Sequence, residues 1–169
     1  RAVAYIPVTD SITQARLYRK IGNTWREQYH YLEAQRSYAE AERVLGMAPA
    51  ADASDKAARE HIQAWWQEWI QVLLEVDFVY YWIGQVQASD ELQAKLKPVV
   101  DRDGTPYQQA KFLQQGIMTE FRRRRGLATP DMAIAAKRAL ILLQAANAYT
   151  MLPSAHFLVG FIQLWSGDP

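Results

Sequence analysis

The sequence predicts an all-α chain made of repeated helical hairpins, on three observations. Apolar residues recur at helical spacing almost throughout, and strand signals are nearly absent. Four breaks look alike, each following an aromatic-rich or basic turn: WREQYHY, YYWIGQ, FRRRRGL and LWSGDP. Anchored on Tyr29, Gly84, Gly126 and Gly167, they lie roughly 55, 42 and 41 residues apart, the spacing of helical pairs that cannot bury an apolar face alone. Thr-Pro occurs twice where a helix should begin, Thr capping free amides and Pro preset for the first turn.

Seven helices follow in order. The first runs from about Ser11 to Tyr29, capped by Asp10 or Ser11, and the second from about Leu32 to Gly46. MAPAADASD is a small-residue linker containing Pro49. The third helix spans Lys56 to Ile83 and stops at Gly84. The fourth starts after Ser89 and reaches Val100, with Pro98 expected to kink or shorten it. The fifth begins at Thr105-Pro106 and ends near Gly126. The sixth begins at Thr129-Pro130 and ends near Tyr149. The seventh runs from about Pro153 to Trp165 and meets Gly167-Asp168. Hairpins are expected at 11–46, 56–100 and 105–149, with a half hairpin at 153–169, all in one domain.

Composition narrows the function classes. A chain of 169 residues, 50% hydrophobic, can bury a core and is not generally disordered. No apolar run reaches the roughly 18 to 20 residues needed to cross a bilayer, and Lys137 and Arg138 interrupt the most apolar segment, Ile134 to Leu143. No signal peptide is visible, and the missing initiator Met points to an excised or processed piece. With no Cys, disulfides, thiolate catalysis and cysteine metal sites are excluded, and a cytoplasmic location is expected. A net charge of +1 exerts no global pull on nucleic acid or membrane.

Residues with chemical potential are few. His30, His61 and His156 are scattered, with no HExxH and no carboxylate at metal-ligand spacing, so no metal site and no cofactor are expected. Gly-x-Ser-x-Gly and DDxxD runs are absent. Asp101-Arg102-Asp103-Gly104 lacks the third position and terminal Glu of a calcium loop and reads as a turn between hairpins. Asp77, in LLEVDFVYYW, is surrounded by apolar residues and needs a partner. A Tyr or Arg of a neighbouring helix would make it structural; a carboxylate facing a ligand would make it functional. Arg122 to Arg125 point in several directions around a helix end, which argues for solvation over nucleic-acid binding, with an anionic contact as the alternative.

Ile21, Gly22, Trp25, Tyr31, Ala34, Tyr38 and Ala41 fall where a tetratricopeptide repeat (TPR) carries its signature residues. Gly22, Ala34 and Ala41 would let two helices approach closely while Tyr31 and Tyr38 fill the gaps. Asp77 stands where the second unit would place the close-packing Gly, and the third keeps Phe121, Gly126, Ala135 and Ala139. More widely, AWWQEWIQVLLEVDFVYYW, LKPVVDRDGTPYQQAKFL and FLVGFIQLWSGDP are similar to the helical-repeat sensor regions of bacterial STAND-type signalling ATPases, including LuxR-like and cyclase-linked regulators of transcription and signal transduction. No phosphate-binding GxxxxGK[ST] occurs, so only the sensor portion is implied.

The resemblance implies a right-handed α-solenoid of about three and a half hairpins whose first helices line a concave groove. The positions facing it would be Arg16, Arg19, Asn23 and Arg26, then Gln71, Phe78, Tyr81 and Trp82, then Glu120, Arg123 and Arg124, and finally Phe157, Phe161 and Trp165. Alternating basic and aromatic rows would suit a protein or extended peptide with acidic and apolar side chains, or an aromatic anionic small-molecule effector. Trp65, Trp66 and Trp69 are expected in the core. The function implied is a non-catalytic sensor that acts on other domains of its parent protein. A passive peptide-binding scaffold and an all-helical enzyme are the competing classes. Phe161, Leu164 and Trp165 lack their usual cover in a truncated fourth hairpin, which predicts a self-association tendency.

Overall fold

The computed structural model describes residues 10–50 and 55–166. These form seven α-helices and no strand: α1 (Ser11–Glu27), α2 (Tyr31–Leu45), α3 (Lys56–Ile83), α4 (Val86–Asp103), α5 (Pro106–Arg123), α6 (Pro130–Ala145) and α7 (Leu152–Ser166). A 3-10 turn at Tyr149–Met151 precedes α7. The Gly167-Asp168 stop and part of the MAPAADASD linker lie outside the described residues.

Local chemistry sets most boundaries. Asp10 accepts the N–H of Thr13 at 3.0 Å to cap α1. Both Thr-Pro starts form as expected: Thr105 makes a reciprocal capping box with Gln108, and the Thr129 hydroxyl accepts from Met132 N–H. The stops share one device. Tyr29, Gly84 and Arg125 adopt left-handed backbone, and each closes its helix with a paired bond, His30 to Trp25, Gln85 to Tyr80 and Gly126 to Phe121. Thus α1, α3 and α5 end alike, as does α6 at Asn147, where Ala148 bonds to Leu143, but in α5 the stop equivalent to Tyr29 and Gly84 is Arg125, one residue before Gly126.

The fourth helix differs from expectation. It starts at Val86 and runs unbroken through Pro98 to Asp103, so the DRDG segment is mostly helix rather than turn. Ser89 does not cap it, because its hydroxyl is bonded to Asp77. Pro98 and Ala94 are both exposed, so the carbonyl that Pro98 leaves without an amide can be hydrated.

Residue contacts divide the chain into two compact units, Arg1–Val99 and Val100–Pro169, where the sequence was read as one repeat domain. In the first, α1 packs on α2, and both pack on α3. Gly22 is the tight point of α1 and α2: a Cβ there would stand 2.4 Å from the Tyr38 ring. Ala34, Tyr38 and Ala41 are completely buried. Trp65 and Trp69 are core residues as expected, Trp65 donating its indole N–H to Leu45 O at 3.0 Å, whereas Trp66 is half-buried.

In the second unit α6 packs on both α5 and α7. One cluster joins Ile117, Met132, Ala136, Leu158 and Ile162, and another joins Ala110, Ala139, Leu143 and Ala155. No helix among the described residues is long and apolar enough to cross a membrane.

Candidate functional site

The first unit brings its predicted site residues together. On α1, Arg16, Arg19, Asn23 and Arg26 recur at three- and four-residue steps and form one stripe. On α3, Gln71, Phe78 and Trp82 share a stripe with two residues the sequence reading passed over, Glu68 and Glu75. The stripes face each other. Glu68 is buried and is held by Arg19 through both oxygens, at 2.6 and 3.2 Å. Arg16 reaches the same carboxylate at 3.4 Å, with its side chain 48% exposed. Glu75, also buried, accepts from Arg26 and, at 2.9 Å, from Gln71.

This arrangement changes the electrostatics expected of the face. The arginines are not an open basic row, because two buried carboxylates lie beneath them. Buried carboxylates need such partners, and leaving either side unpaired costs several kcal/mol. The aromatic residues continue the same line. The Arg26 guanidinium lies over the Phe78 ring at 4.9 Å. Phe78 meets Trp82 at 6.0 Å, and Tyr81 meets Trp82 edge-on at 5.5 Å. Trp82 is 53% exposed. The face therefore runs from a half-exposed cation to an exposed aromatic shelf.

Asn23 has a mainly internal task. Its Oδ1 accepts the Tyr38 hydroxyl at 2.8 Å. Burial is the chief cause that pushes the Tyr38 phenol well above its ordinary pKa, with the Glu75 charge adding to it. Asp77 is also internal, 1% exposed, but its partners are neither Tyr nor Arg. It accepts from Ser89 Oγ at 2.5 Å and Gln93 Nε2 at 3.0 Å. Burial raises its pKa, and these two bonds partly oppose the rise.

In the second unit the predicted residues split into two groups. Glu120 accepts from Arg123 and Arg124 at 2.5 Å each, and all four residues of Arg122 to Arg125 are exposed. Counted from the stop at Arg125, the α5 positions equivalent to Asn23 and Arg26 are Thr119 and Arg122. The named trio is thus turned about 100° around the helix from the first-unit stripes. Phe161 packs on the core and contacts Phe121, Phe157 and Trp165, with ring centroids 5.1 to 6.1 Å apart. Phe157, Leu164 and Trp165 are mostly exposed. The sequence reading missed a shallow cleft of about 250 Å³ between α5 and α6, with Phe112, Ile117 and Met132 inside and Glu120, Arg124 and Asp131 at its rim.

Among the described residues, no group of three His, Asp or Glu side chains is placed to hold a metal ion. His30, His61 and His156 are all exposed. Comparison with protein-family models, curated proteins and solved structures finds no match.

Proposed function

We propose that this chain is a non-catalytic sensor module of a cytoplasmic signalling protein, and that it binds a partner on the α1 and α3 face of its first unit. The observation that carries this reading is the alignment of two helical stripes into one continuous surface, from the Arg16–Glu68 pair to the Phe78–Trp82 shelf. Side chains held by buried ion pairs lose little freedom on binding, which favours recognition. An exposed Trp beside Phe and Tyr is the residue type that carries binding energy at interfaces.

One feature supports the helical-repeat part of the reading: Gly22 and Tyr38 make the close hairpin contact of a TPR-like unit. In a stack of such hairpins, a partner that touches first helices can alter the angle between units and so report its presence to a neighbouring domain.

Selection of random displayed peptides against the purified chain tests the reading. Enrichment should be lost on Phe78→Ala/Trp82→Ala and retained on changes to exposed residues of α2, such as Arg36→Ala. Enrichment that survives the double variant would remove this face from consideration.

A further inference from the structure

Three arginines of the α1 stripe face two buried carboxylates of the α3 stripe, and the exposed Glu27 adds a third partner, 3.8 Å from Arg26. Arg19 engages both oxygens of Glu68, and Arg26 is committed to Glu75 and Phe78. Arg16 shares a single Glu68 oxygen at 3.4 Å and leaves about half of its side chain exposed. Asp10, the N-cap carboxylate of α1, accepts the Thr13 N–H and also feels the Arg16 charge. Arg16 is therefore the least engaged of the three arginines. Glu68 and Glu75 meanwhile cancel the field that a bare arginine row would extend toward a polyanion.

The apolar end of the face lies far from Arg16. Ten residues of α3 separate Glu68 from Phe78 and fourteen separate it from Trp82, which at the helical rise is about 15–21 Å. An anionic aromatic effector of ordinary size does not span that gap, whereas about five residues of extended chain do, at roughly 3.3 Å each.

We infer that this face selects an extended peptide with one acidic side chain and, about five residues away, one aromatic or large aliphatic side chain. The carboxylate pairs with Arg16 and the apolar group rests on Trp82 and Phe78. Glu68 and Glu75 act as specificity residues by rejecting runs of negative charge. This inference rests on the binding reading above and adds the composition and spacing of the partner.

Fluorescence anisotropy with the full chain tests it. The probes are labelled Ser/Thr-rich peptides of about a dozen residues, bearing one Glu and one Phe set about two to eight residues apart. Affinity should peak near a separation of five. Arg16→Gln should weaken the best peptide by about tenfold and leave its Glu→Gln counterpart unaffected, whereas Trp82→Ala should weaken both. Both substituted side chains are about half exposed, so the variants should fold, which circular dichroism checks. Equal affinity at all spacings would overturn the inference, as would an Arg16→Gln variant that binds normally, or tighter binding of poly-Glu or a single-stranded oligonucleotide. In each case peptide capture by the Trp82 shelf would survive. Enrichment in the display selection only of peptides that ignore Trp82 would instead defeat the underlying reading.

Discussion

Gly22 and Asp77 occupy equivalent places, each seven residues before a left-handed stop, yet they join their helices by opposite means. At Gly22 the absence of a side chain lets the Tyr38 ring lie where a Cβ would be, and the contact is van der Waals. At Asp77 a carboxylate reaches across to Ser89 and Gln93, and the contact is hydrogen bonding in a buried place. One position can thus be satisfied by shape or by polarity. The shape solution tolerates no added atom, and the polar solution tolerates no lost acceptor.

Four substitutions break or sharpen that contrast. The largest effect is expected from Tyr38→Ala, which empties the place opposite Gly22; about 3–5 kcal/mol of stability should be lost in urea unfolding. Gly22→Ala should cost about 1–3 kcal/mol, because the ring opposite is completely buried and cannot move aside freely. A comparable loss, about 1–3 kcal/mol, is expected for Asp77→Ala, which strips the completely buried Ser89 hydroxyl of its acceptor. Asp77→Asn keeps an acceptor and should change stability by about 1 kcal/mol or less at neutral pH.

The Asn variant also carries a pH signature. The Asp77 pKa is raised on folding, so between its ordinary value and the raised one the native state holds more protons than the unfolded state. The stabilisation from this group is then full at low pH and falls as pH rises through that window. Relative to Asp77→Asn, the parent chain should therefore be most stable in acid and lose that advantage toward neutrality. Unfolding curves across the acidic range check the sign. A difference that grows with pH would place the carboxylate in a more favourable setting than its burial implies. The smallest effect belongs to the exposed Glu120 pairs: Arg124→Gln should shift stability by less than about 1 kcal/mol.

Legibility followed the range of the interaction. The Thr-Pro starts and the similar breaks could be read because caps and stops are made by residues within one turn of each other. Gly22, Ala34, Tyr38 and Ala41 could be read because a hairpin of neighbouring helices has few ways to pack. The arginine stripe was visible as a spacing, but its neutralisation was not. Glu68 and Glu75 sit in a long apolar run at the same steps as Gln71 and Phe78, and that continuing spacing was the available signal. Asp77 was recognisable as buried, yet its partners were expected to be Tyr or Arg. The break placed at Ser89 hid the hydroxyl that meets it.

The sequence by itself determined the all-α class, six of the seven helices to within a few residues, and the tight point at Gly22, all of which depend on local backbone and short-range packing. Tertiary structure alone decided that Asp77 meets Ser89 and Gln93, and that the arginines of α1 meet buried carboxylates of α3. Those outcomes depend on which faces of distant segments come together. A helical period states that a face exists without naming the side chains it will meet.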